Sequence, residues 1–250
     1  MAKGLTHYES LGHPPTILFP PECATRRHGN FNDESYRAIL ANPSWSERLK
    51  KSHPRRNALP KDHRASAMEL DSSNSSDALL MNCFCYPGAA KRILQGCLQT
   101  MPTEPVEFGV AGKVPLCNGK PDTTELDMRV GNVILEAKLT ESDFTSKRAA
   151  VVEAYRDFRD VFDANLLPRV EGKYQNYQLI RNVLAAVAHG YDFVLLCDGR
   201  RPDLLRHWWT VHAAIRQPDL RVRSHFLLWQ EVAEACPAPL RCDLREKYGL

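Results

Sequence analysis

The sequence predicts an α/β protein: a mixed central sheet flanked by helices, preceded by an irregular and partly helical N-terminal extension. Three observations predict it. Residues 124–139 alternate apolar and polar with period two on either side of Gly131-Asn132, which marks a hairpin. Residues 193–197 form a short apolar run of the buried-strand type. Between and after them, apolar residues recur at helical spacing and the stretches are punctuated by Pro168 and Gly190.

At 250 residues the chain is long enough to bury a core without disulfide or metal staples. Its 43% hydrophobic and 25% charged residues are ordinary for a globular protein. No apolar run approaches the roughly 18 residues of a membrane span. The N-terminal residues lack the apolar segment of a secretory leader. The expectation is a cytoplasmic protein without a membrane partner.

Taken in order, residues 1–30 are rich in Pro, Gly and His and read as an extended arm. Residues 33–51 are partly helical, with Asp33 as a cap, Pro43 as an interruption, and Ser44 as the cap of a second helix through Leu49. Residues 52–66 read as a polar, basic linker. The extension is therefore drawn as residues 1–70 and the α/β domain as 71–250. The domain opens with the apolar run Ala78–Tyr86, broken by Pro87-Gly88, and a helix at 89–98. Strands come next at 106–110, 124–130 and 133–139. A long helix is expected over 146–166 and a second over 174–189. The remainder reads as a strand at 193–197, a helix at 203–215, a strand at 221–228 and a short helix at 230–236.

The net charge of +3 says little, but its distribution is uneven. Residues 1–65 carry 11 Lys/Arg against 6 Asp/Glu, and the excess is densest between Arg48 and Arg64. This is either a phosphate-binding arm centred on Arg55 and Arg56 or a solvated basic linker. The eight cysteines, Cys23 among them, form no C-x-x-C pair and read as reduced thiols. The nine histidines show no metal-binding spacing. Trp208, Trp209 and Trp229 read as core packing rather than base-stacking platforms.

The hairpin carries the chemistry. Glu136 and Lys138 are spaced i and i+2 on one strand, so both side chains leave the same face. Val133, Leu135, Ala137 and Leu139 take the other, apolar face. A tight turn at Gly131-Asn132 brings Asp127 beside Glu136. Two carboxylates are hard oxygen donors of the kind Mg²⁺ takes, with Mn²⁺ as a substitute, and the Ala137 carbonyl is a further candidate ligand. An unperturbed lysine, with a pKa of about 10.4, is a cation at neutral pH, so Lys138 suits charge stabilisation and water orientation better than general base work. Glu171-Gly172-Lys173 repeats the tripeptide, but no strand pattern surrounds it.

Asp127 followed by Glu136-Ala137-Lys138, within helix-strand-strand-strand-helix-strand order, resembles the PD-(D/E)XK nuclease superfamily and its restriction-endonuclease-like core. The resemblance covers residues 75–200. Leu126 stands where the family motif carries proline. The resemblance implies a Mg²⁺-dependent endonuclease of restriction or defence type, with DNA as its partner. Asp127, Glu136 and Lys138 would be catalytic, and Asp127 and Glu136 would ligate the metal. Relatives often carry a glutamine on the helix after the catalytic strands. Gln178 is the candidate, with Gln175 as alternate, while Arg181 and Asn182 on the same polar face would contact nucleic acid. Some relatives add an upstream acid. Asp77 leads over Glu69, Glu104 and Glu107 for that place, and its other reading is a helix cap. Glu141 and Asp143 either tune the site or serve as loop charges and caps for the next helix.

A non-cleaving nucleic-acid module on the same fold and a Mg²⁺ enzyme acting on RNA or a phosphorylated small molecule remain alternatives. A symmetric homodimer is one arrangement that would cut both strands of a duplex.

Overall fold

The computed structural model describes residues 5–22, 27–98 and 105–250; Cys23 and Glu104 lie outside them. The chain divides into two compact units. One comprises residues 1–108 and 230–250, the other residues 109–229.

The first unit is mostly helical. Asp33–Ala41 is capped by Asn32, whose side chain accepts from Glu34 N, so Asp33 is the first helical residue and not the cap. Pro43–Arg48 comes next, capped by Asn42 rather than Ser44, with Pro43 in the first turn where a missing N–H costs nothing. Ser75 caps Ser76–Cys85 by accepting from Ala78 N, and Ala89–Cys97 lies beyond it. The chain returns at its C-terminal end with Trp229–Ala235 and Ala238–Tyr248; the sequence pattern predicts no helix for the last segment.

A boundary at residue 70 is not where this unit closes. Phe31, Tyr36, Ile39 and Leu70 share one apolar cluster with Ala78, Met81 and Cys85. Arg48 also reaches across to Asp77 at 2.5 Å. Apolar burial joins residues on both sides of position 70, and the polar composition of 52–66 gives no sign of that. The 52–66 segment is a series of short 3₁₀ turns, at Arg56–Ala58 and Lys61–His63.

The second unit is built on a five-stranded mixed sheet. In chain order its strands are β1 (Glu107–Ala111), β2 (Glu125–Val130), β3 (Val133–Ala137), β4 (Asp192–Cys197) and β5 (Ser224–Leu228). The order across the sheet is β5-β4-β3-β2-β1. β2 and β3 are antiparallel with Val130 opposite Val133, so Gly131-Asn132 is the expected two-residue turn, with Gly131 at φ 55°. β4 runs parallel to both β3 and β5. A parallel β3–β4 pair needs a crossover, and the helix Tyr177–His189 supplies it. Every residue of β3 is buried, as a central strand covered on both faces requires. β2 alternates, with Leu126, Met128 and Val130 inward.

The helix expected over 146–166 is not formed. Ser146–Arg148 is instead a strand, and with Lys173–Gln175 and Arg169–Val170 it makes a small antiparallel sheet. Only the short helices Ala149–Val152 and Phe158–Val161 remain. Of the apolar residues that suggested one helix, Val152, Tyr155, Phe158, Val161 and Phe162 are buried, from two short helices and the chain beside them, while Val151 is exposed. Tyr155 pairs with Leu116 in a bridge, and its hydroxyl meets Asp122 and Tyr177. Those partners lie far away in sequence, so a local period could not report them. For the same reason the second helix starts at Tyr177 and not at 174. Tyr174 is in a strand, and Asn176 turns the chain at φ 60°. Residues 218–222 are a helical turn, so the last strand starts at Ser224.

Candidate active site

The β2–β3 register places Met128 opposite Leu135, and one step further sets Asp127 across from Glu136. Asp127 Oδ2 accepts a hydrogen bond from Ala137 N at 2.8 Å, which ties the carboxylate to the backbone between Glu136 and Lys138. Glu136 and Lys138 leave the same face of the strand, as period-two geometry requires, and their charged ends stand 3.0 Å apart at Glu136 Oε1 and Lys138 Nζ. Both are buried, at 1% and 6% exposure. Buried charges persist only when paired.

The helix Tyr177–His189 closes over this pair. Its first N–H groups are taken by the loop after β3, Tyr177 N by Thr145 O and Gln178 N by Phe144 O. That docking presents Gln178, whose Oε1 accepts from Lys138 Nζ at 3.1 Å. One turn on, Asn182 Nδ2 donates to Glu136 Oε2 at 2.6 Å. Arg181 Nε and a terminal nitrogen donate to Asn182 Oδ1 at 2.9 and 2.7 Å, and Arg181 also donates to Glu125 O at 2.9 Å. The strand end is framed as well: Lys138 N donates to Leu196 O, and Trp229 Nε1 donates to Lys138 O at 2.9 Å.

Burial acts to lower the Lys138 pKa, but the carboxylates of Glu136, Asp127 and Glu141 outweigh it and the pKa is raised. The ammonium also lies 5.6 Å from the centre of the Phe144 ring.

The sequence candidates thus fall into two groups. Asp127, Glu136, Ala137, Lys138 and Gln178 are gathered at the β2–β3 hairpin and the helix beside it. Arg181 and Asn182 are close by but turned inward, at 4% and 0% exposure, bound to the protein's own groups rather than offered to a phosphate. Their place on the polar side of the helix was legible; that the hairpin covers that side was not.

Asp77, Arg55 and Arg56 belong to the first unit. Asp77 is held by Arg48 at 2.5 Å and Lys51 at 3.6 Å, and Ser75 takes the capping role. Arg55 is exposed, while Arg56 is half-buried. Gln175 lies on the small sheet and bonds Lys173 O. Glu171-Gly172-Lys173 is an exposed turn with φ 49° and 72° at its first two residues. Glu141 Oε2 accepts from Leu139 N and Thr140 N, and Asp143 Oδ1 accepts from Thr145 N, so both cap the loop after β3.

Sequence reasoning missed the hold of Asn182 on Glu136 and of Trp229 on the Lys138 carbonyl. No local signal announces either. Trp208 and Trp229 are fully buried, as their core reading has it, whereas Trp209 is half-exposed.

The donor set suits a hard divalent cation. Two carboxylates stand on neighbouring strands, and Glu136 Oε1 is buried yet receives no directed hydrogen bond despite the ammonium beside it. Among the described residues no three His, Cys, Asp or Glu side chains converge, so water and substrate oxygens would have to complete such a shell. No described helix is long and apolar enough to cross a membrane.

No curated protein and no solved structure matches the chain. A protein family does: residues 10–249 match the one described as "Restriction Endonuclease associating with ARP", and the chain belongs to that family.

Proposed function

We propose that this restriction-endonuclease family member is a Mg²⁺-dependent nuclease of PD-(D/E)XK type that hydrolyses DNA phosphodiester bonds, an endonuclease of restriction or defence type. The observation that carries the reading is the convergence of four side chains. Asp127 and Glu136 are set on adjacent strands, Lys138 is two residues beyond Glu136 on the same face, and Gln178 reaches Lys138 from the following helix.

Asp127 and Glu136 would hold Mg²⁺, or Mn²⁺ in its place, with the Ala137 carbonyl as a third oxygen. When bound, the ion neutralises phosphoryl charge and makes water more acidic. The chain's own residues do the rest. Lys138 keeps its positive charge among three carboxylates and offers N–H donors to a phosphate oxygen or to the attacking water. Gln178 fixes the direction of that ammonium. Arg55 and Arg56 grip the nucleic-acid backbone, a contact that weakens as salt rises. A symmetric pair of chains is one arrangement that would cut both strands of a duplex.

The test is supercoiled plasmid incubated with the wild-type chain in Mg²⁺ or EDTA, beside Glu136→Ala. Nicking that needs Mg²⁺ and disappears in the variant is expected. Cleavage that survives in EDTA or in Glu136→Ala overturns the reading. The burial of Glu136 and Lys138 favours one second reading, a nucleic-acid module that binds without cutting. It predicts salt-sensitive DNA retention and intact plasmid. The same assay with RNA separates the two nucleic acids.

A further inference from the structure

We infer that Asn182 is a positioning residue for Glu136, and that Arg181 fixes the way its amide faces. The inference rests on the metal-dependent reading of the hairpin and adds two residues to that site.

Asn182 is fully buried, and its side chain is engaged at both ends. Nδ2 donates to Glu136 Oε2 at 2.6 Å, and Oδ1 accepts two N–H groups from Arg181 at 2.9 and 2.7 Å. An asparagine amide can turn over and exchange its oxygen and nitrogen. Here it cannot do so without loss. The flipped amide would set its NH₂ against a guanidinium that only donates and its oxygen against a carboxylate that only accepts. Both contacts would then repel in a buried place, where unsatisfied polar groups are costly. Arg181 in turn is anchored on Glu125 O at 2.9 Å, two residues before Asp127 on the same strand. The chain of bonds runs from β2 through Arg181 and Asn182 to the Glu136 carboxylate on β3.

This arrangement decides which oxygen Glu136 presents. Oε2 is occupied by the amide. Oε1 is left facing Lys138, buried and without a directed hydrogen bond. Asn182 therefore touches neither substrate nor cation; it acts by holding Oε1 in one direction. Removing the amide lets the carboxylate rotate and weakens cation binding.

Mn²⁺ serves as the probe, with binding read by electron paramagnetic resonance and folding by thermal melting. The chains compared are the wild type, Asn182→Ala, Asn182→Ser and Glu136→Gln. A loss of at least tenfold in Mn²⁺ affinity is expected in each folded Asn182 variant, with binding abolished in Glu136→Gln. A folded Asn182 variant that binds Mn²⁺ as the wild type does overturns the inference, as does a wild type that binds none. Should neither Asn182 variant fold, ¹⁵N-asparagine spectra of the wild-type chain decide. A strongly hydrogen-bonded side-chain amide broadened by Mn²⁺ supports the inference, and the absence of any broadened amide overturns it. If Mn²⁺ binds and responds to Asn182 while plasmid stays intact under every condition, the nuclease reading fails and the positioning role stands.

Discussion

Gln178 Oε1, at the start of the helix Tyr177–His189, accepts a hydrogen bond from Lys138 Nζ at 3.1 Å, across 40 residues of chain. The same ammonium lies 3.0 Å from Glu136 Oε1. Its position is therefore set by a neutral hydrogen-bond acceptor and by a carboxylate charge, from two different elements. Replacing Gln178 by Ala leaves the ion pair but removes the second constraint. A fall of about tenfold to a hundredfold in single-turnover nicking is expected, the scale on which a small misplacement slows a reaction, with little change in melting temperature. An unchanged rate would remove Gln178 from the site.

Lys138 is also a structural charge. Lys138→Met leaves the Glu136 carboxylate buried with the Asn182 amide as its remaining partner. Breaking one side of a buried pair costs about 3–5 kcal/mol, so the variant should unfold at markedly lower urea. The double variant Glu136→Gln/Lys138→Met, with the fully buried carboxylate also neutralised, should recover much of that loss.

Asp77 separates two roles. Held by Arg48 and Lys51 within the first unit, its loss in Asp77→Ala should cost stability on the same scale of about 3–5 kcal/mol. Mn²⁺ affinity of the folded protein should not change. A selective loss of Mn²⁺ binding at full stability would instead make Asp77 the upstream acid that some relatives of the resembled family carry.

A pH dependence arises from Asp122. Burial works to raise its pKa, but hydrogen bonds from Thr124 and Tyr155 and the charge of Arg181 outweigh it, so the folded pKa is lowered. A carboxyl with a lowered folded pKa contributes stability that is present above its unfolded pKa, about 3.9, and lost as pH falls through the folded value. Melting curves of the wild type and Asp122→Asn should therefore differ at pH 6, with a gap that narrows as pH falls below about 4. A gap that does not narrow at all below about pH 4 would show that the contribution is not the carboxylate's charge.

Gly29 tests the packing of the first unit. A Cβ built on it would overlap Phe19 Cδ1 and Cγ, an approach only glycine allows. Gly29→Ala should destabilise the chain by about 1–3 kcal/mol through overpacking. Chemical denaturation measures this, and an unchanged midpoint would mean that the ring moves aside freely.

Much of the hairpin was legible in the sequence because its information is local. Alternation along 124–130 and 133–139, with Gly131-Asn132 between, is enough to set two strands, their register and the shared face of Glu136 and Lys138. Gly190 marks the end of the following helix as expected, at φ 68°. The 146–166 stretch misled because most of its apolar residues are buried from two short helices and the chain beside them, and helical spacing does not distinguish that from one long helix.

By itself the sequence determined the α/β class, the β2–β3 hairpin and a carboxylate–carboxylate–lysine set upon it, because each depends on neighbours within about ten residues. The tertiary structure decided what surrounds that set. Only the docking of the Tyr177–His189 helix brings Gln178 to Lys138 and Asn182 to Glu136, and only burial turns Arg181 from a surface cation into an internal anchor. Only long-range contacts carried the first unit past residue 70 to Phe108 and joined to it the chain from Gln230 onward, where Lys247 Nζ donates to Gly29 O and Asn30 Oδ1. These contacts link residues tens to hundreds of positions apart. They exist because apolar burial and the pairing of buried charge are satisfied over the whole chain, where no local pattern records them.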